Sequence, residues 1–198
     1  MNRWLAIFLV VGVLTGGCWW FFANYKRVEF EFTKDAREVV ILRNEVEVGR
    51  FTENASFWLR RGEFEMRAEL ENYTILAPIF IVEEWTTIDV DVIFSDTRLA
   101  ELLTDETSER LEAVFWRNYS ELVRDFEVVE RRLFLRGDWY GIVLEESGVE
   151  RGNEPVRVRG IMQRVSGEWS IVGEPEVLLT AATHPEVPRD ILRKINRL

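Results

Sequence analysis

The sequence predicts an α+β protein: an N-terminal transmembrane helix, a small antiparallel β-sandwich, and a cone-like domain in which helices precede an antiparallel sheet. Three observations lead there. An uncharged apolar run fills residues 4–22. Apolar and charged residues alternate with period two from 28 to 92, the mark of half-buried strands. Helical spacing over 95–123 then gives way to hairpin patterning. The expected segments are 1–27 as membrane anchor, 28–94 as β-sandwich and 95–198 as α+β module.

The first run is uncharged between Arg3 and the pair Lys26 and Arg27. At about 1.5 Å per residue its helix reaches roughly 28 Å, the thickness of a bilayer core. Trp4, Leu5, Phe8, Trp19, Trp20, Phe21 and Phe22 are the anchor residues, with rings at both ends where headgroups favour them. Three readings compete, in this order: an uncleaved transmembrane helix, a lipoprotein signal and a cleaved secretory signal. The second rests on Leu14, Thr15, Gly16 and Gly17, which resemble a lipobox ahead of Cys18, the candidate lipidated residue. The expected location is single-pass in a membrane with the body extracytoplasmic. Lys26, Arg27 and Lys34 on the body side leave orientation unfixed by basic residues alone.

Residues 28–198 carry all 35 acids and 22 of the 25 bases. Such a surface repels phosphate backbones, so nucleic acid is not an expected partner. Cys18 is the sole cysteine, so no disulfide forms within the chain. A single histidine, His184, excludes His-rich metal sites and most histidine relays; just before the closing helix, it reads as a surface or capping residue. Asn54, Asn72 and Asn118 open Asn-x-Ser/Thr triplets, which read as turn chemistry.

Strands come next. Val28, Phe30 and Phe32 alternate with Glu29 and Glu31; Phe64, Met66, Ala68 and Leu70 alternate with acids and Arg67; Ile88, Val90 and Val92 alternate with Asp89 and Asp91. Turns are expected at Arg43 and Asn44, Gly49, Arg61 and Gly62, Asn72, and Glu83 with Glu84. The charged residues at every second position read as a solvated face that also discourages edge pairing. The run VVILRNEVEVGRFTENASFWLRRGEFEMRAELENY, with Gly49, Gly62 and Tyr73 in order, resembles a PEGA-type module, a small extracytoplasmic sandwich. It departs from that pattern in lacking a Pro after Gly49, in having Asn44 in place of Gly, and in having Asn72 before the Tyr. The resemblance implies envelope-associated scaffolding or binding and brings no catalytic residues.

In the last module Ser95 and Asp96 start a helix, with Leu99, Leu102 and Leu103 at helical spacing. Leu111, Val114, Phe115, Tyr119, Leu122 and Val123 mark a second helix lying across a sheet. Hairpins follow at 128–144 and 156–172, then a strand at 176–180 and a short helix from about Pro188. Helices first and sheet afterwards are similar in architecture to NTF2-like and cystatin-like domains, with no motif specific to either. In such a cone Trp139, Tyr140 and Trp169 line a pocket or fill it.

No phosphate-cradling loop, cysteine pair, HExxH or nucleophile elbow occurs. No catalytic, cofactor-binding or metal-binding residue is therefore expected, and no cofactor. The leading expectation is a non-enzymatic, membrane-anchored envelope protein that binds or scaffolds another envelope protein or polymer. The alternatives are a small-ligand-binding lipoprotein and a carboxylate-dependent envelope hydrolase.

Overall fold

The computed structural model describes residues 3–34, 36–149 and 153–198, with side chains left aside at 3–12 and 14. Strand outweighs helix, and the strands form four sheets. The chain is thus mostly β, a correction to the expected α+β class. It divides into two compact units, Met1–Ile93 and Phe94–Leu198.

Unit 1 opens with α1 (Arg3–Asn24), which runs without a linker into β1 (Tyr25–Phe32). Among the described residues no helix is long and apolar enough to cross a membrane. This overturns the expected transmembrane anchor and the single-pass placement with an extracytoplasmic body. Composition and packing give the reason. The described end of α1 holds Thr15, Gly16, Gly17 and Asn24 together with the indole N–H groups of Trp19 and Trp20, in place of a continuous aliphatic surface. Its last rings are also engaged by the β unit: Phe21 stacks on Tyr25 at 4.8 Å, and Phe21 and Phe22 lie 5.4 and 5.6 Å from Trp58.

Eight further strands complete the unit: β2 (Val39–Arg43), β3 (Val46–Phe51), β4 (Ala55–Arg60), β5 (Gly62–Ala68), β6 (Tyr73–Ile75), β7 (Ile79–Val82), β8 (Thr86–Val90) and β9 (Val92–Phe94). They form sheets β4-β1-β8, β3-β2-β5-β7 and β6-β9 over one core. β1 pairs antiparallel with β4 but parallel with β8, so the sandwich is not wholly antiparallel as expected. Phe30 is the hub of the core, its ring 5.0, 5.9 and 5.5 Å from those of Phe51, Phe57 and Phe80. Gly49 lies inside β3, not in a turn. A Cβ there would stand 2.9 Å from Cε1 of Phe57, so the missing side chain makes room for that ring. The turn expected at Arg43 and Asn44 joins β2 to β3 at Asn44 and Glu45, both left-handed, with φ of 50° and 67°.

In unit 2, Ser95 caps α2 (Asp96–Leu102) and Thr104 caps α3 (Asp105–Asn118), each through a side-chain oxygen accepting from a backbone N–H three residues on. A meander follows, β10 (Phe126–Phe134), β11 (Trp139–Glu146), β12 (Arg157–Val165) and β13 (Glu168–Ile171), in that spatial order. A strand expected over 176–180 is reduced to one bridge, Glu176 to Arg159. α4 (Arg189–Ile195) closes the unit behind Pro188. Both faces of the meander are covered, which explains why β11 reads as an apolar run. Tyr140, Ile142 and Met162 pack with Leu111 and Phe115 of α3, while Trp139 and Ile161 pack with Ile191 and Ile195 of α4. Two glycines allow the close approach. A Cβ at Gly160 would fall 2.3 Å from the Phe115 ring and one at Gly141 2.5 Å from Cδ1 of Ile195. Unit 2 is therefore a filled layer stack and not an open cone.

Candidate functional site

Among the described residues of unit 2 a cleft of about 500 Å³ opens where α2 and α3 meet the ends of two hairpins. α3 turns Thr107, Arg110, Leu111 and Val114 toward it, at the i, i+3, i+4, i+7 spacing that puts residues on one helix face. α2 adds Arg98 and Leu102, one turn apart. The β10–β11 turn contributes Arg136 and Gly137; β12, the turn after it and β13 contribute Arg164, Gly167 and Trp169. Phe94 and Leu133 complete the apolar wall.

Four arginines and no acidic residue line this cleft, in a chain where acids outnumber bases 35 to 25. Arg98 Nη1 donates to Glu101 Oε2 at 3.1 Å along the exposed face of α2. Arg164 Nη2 donates to Asp138 Oδ1 at 3.1 Å, and its guanidinium carbon lies 5.8 Å from the Trp169 ring centre. Both carboxylates sit outside the lining, and solvent-exposed pairs of this kind are worth about 0–1 kcal/mol, so an entering anion competes with them easily. Arg110 has no acidic partner among the described residues. Guanidinium groups stay protonated at any physiological pH and present a planar donor fork matched to carboxylate and phosphate. The cleft can therefore hold an anion. The described lining has no carboxylate, thiol or imidazole to move a proton.

Of the three aromatics expected at a pocket, Trp169 lines the cleft. Trp139 is buried on the α4 side of the sheet, and Tyr140 is buried on the α3 side, its ring centre 6.4 Å from that of Trp169. Near Tyr140, Arg131 donates to Glu112. The Tyr140 hydroxyl has no hydrogen-bond partner among the described residues, and burial, with the Glu112 carboxylate adding, pushes its pKa above the ordinary tyrosine value against an opposing effect of Arg131. The four arginines are the residues that pattern reading passes over. Arg110 stands inside the apolar stripe of α3, and Arg136 and Arg164 flank turn residues, which were the available signals.

The remaining expected site residues fall in unit 1. Trp19, Trp20, Phe22 and Cys18 are exposed, Phe21 is half-buried, and the side chains of Trp4, Leu5 and Phe8 lie outside the described residues. Phe22 and Tyr25, with Lys26, Arg27, Trp58 and Trp85, border a shallow apolar hollow of about 400 Å³. His184 corrects the surface reading. It is buried, its Nδ1 2.9 Å from Thr183 Oγ1, which donates to Glu176 Oε2 at 2.9 Å; its Nε2 has no partner among the described residues. The ring fills the space beside Gly173, where a Cβ would come 2.4 Å from Nε2. This is a packed interior group closed off by backbone. Among the described residues no three His, Cys, Asp or Glu side chains gather in a way that could hold a metal ion. On the unit 1 surface, a hydrogen bond from Arg50 holds the Glu47 carboxyl below its usual range, the direction of a solvated ion pair and the reverse of what a general acid needs. Comparison with family models, curated proteins and solved structures found no match for this chain.

Proposed function

We propose that this chain is a non-catalytic binding protein whose second unit holds an anionic ligand in the arginine-lined cleft. One observation supports the reading above the rest: four arginines from four separate segments line one hollow whose described lining holds no acid, against the charge of the whole chain. Chance placement on an acidic protein would put carboxylates in the lining. A binding role also suits a lining that presents charge and shape without a group to transfer protons.

The test is a titration of the full chain with citrate and with pyrophosphate, followed by tryptophan fluorescence. Saturable binding is expected, weakened about tenfold or more in Arg110→Glu and unchanged in Arg193→Gln on α4. Equal affinities in wild type and Arg110→Glu sink the proposal. A second reading, in which unit 1 docks a protein partner, is favoured by the exposed rings of Phe22, Trp58 and Trp85 around the shallow hollow. That surface has no charge pattern that singles out an occupant.

A further inference from the structure

From the same cleft we infer the class of ligand, resting on the anion-binding reading just given: an organic anion with two acidic groups carried on a flat, apolar body. Two features of the lining make simpler ligands bind more weakly than such a molecule. An inorganic or fully polar polyanion would satisfy the guanidiniums but leave Leu102, Val114 and the Trp169 indole facing its hydration shell, with no apolar surface removed from water. A neutral apolar ligand would cover those groups and strip water from Arg110 and its neighbours without offering an acceptor, which is costly for charged donors. Only a molecule carrying both kinds of surface meets both demands.

The layout fixes where each part goes. Arg98 and Arg110 come from the two helices, while Arg136 and Arg164 come from the hairpin ends, so the arginines enter the lining from two different sets of elements. A ligand with a single acidic group engages one set and leaves the other to solvent; two groups engage both. Between them Trp169 offers an indole face already beside the Arg164 guanidinium at 5.8 Å. Flat rings stack well on such a pair, since the indole and the guanidinium plane both accept face contact. A volume of about 500 Å³ is the size that suits a small molecule of a few rings and falls short of an extended polymer.

The experiment uses the full chain and four probes: naphthalene-2,6-dicarboxylate, 2-naphthoate, succinate and pyrophosphate, each titrated calorimetrically at low and at physiological salt. The aromatic dianion is expected to bind about tenfold or more tightly than each of the other three, and to lose that margin in Trp169→Leu and in Arg110→Gln. Arg193→Gln should retain it. Trp169→Phe, which keeps a ring, serves where the leucine variant folds poorly, and is expected to lose less. If succinate or pyrophosphate binds as tightly as the naphthalene compound and Arg110→Gln still weakens it, the ligand class is wrong while the anion site stands. Equal affinity for 2-naphthoate likewise overturns the requirement for two acidic groups. Should no probe distinguish wild type from Arg110→Gln, both readings fall together.

Discussion

Tyr140 shows how a single residue of this chain can be read for energy as well as place. Its hydroxyl is buried with no partner among the described residues, so it carries the desolvation cost of a polar group without the return of a hydrogen bond. Tyr140→Phe should therefore leave stability unchanged or raise it by about 1 kcal/mol at neutral pH. The pH dependence follows from the direction of the shift. An unfolded tyrosine ionises near about 10, whereas burial raises the pKa of the folded one. The folded state is thus fully favoured below that pH and loses stability as pH climbs above it, because only the unfolded hydroxyl gives up its proton readily. Tyr119, raised by partial burial, acts in the same direction. Chemical denaturation at neutral pH and at about pH 11 should show a smaller alkaline loss in Tyr140→Phe than in wild type; an identical loss would assign the effect elsewhere.

Among the elements, β7 carries the clearest liability. Among the described residues it pairs with β5 alone, and Ile79 and Ile81 are each 61% exposed along it, without the charges that usually guard an edge strand. Ile79→Lys with Ile81→Lys should lower concentration-dependent light scattering while leaving the thermal midpoint within about two degrees, since neither side chain belongs to the core. The alternation that made β1 and β5 legible in the sequence fails to mark such an edge, because a pattern of period two says which face is wet and nothing of which neighbour is missing. For the same reason the parallel pairing of β1 with β8 was beyond reach: it depends on residues more than fifty positions apart. Gly49 was read as a turn because glycine usually punctuates, whereas here its missing Cβ admits the Phe57 ring. In unit 2 the helix start at Ser95 and the two hairpins were plain, being local chemistry. Of the cleft, Trp169 alone was named from sequence as a pocket residue; the joint lining by Arg98, Arg110, Arg136 and Arg164 arises from tertiary placement that no local spacing encodes.

For the whole molecule, the relevant fact is that each unit owns its core. Unit 1 gathers Phe30, Ile41, Met66 and Val90 into one cluster, and unit 2 builds two more, one on each face of its sheet. A fragment of residues 94–198 should accordingly fold alone, giving a dispersed amide spectrum and retaining the anion affinity of the full chain within about threefold. A collapsed spectrum would show that the cores are not self-sufficient.

One detail of the β10–β11 turn reaches further than its size. Arg136 is set between Leu135 and Gly137, both left-handed, with φ of 57° and 74°. A leucine in that region tolerates strain of roughly 1 kcal/mol, and the turn so formed is the one that brings Arg136 and Gly137 into the cleft lining. Leu135→Gly would relieve that strain while keeping net charge and turn length. A backbone change of that kind would probe the proposed anion site without removing a charge.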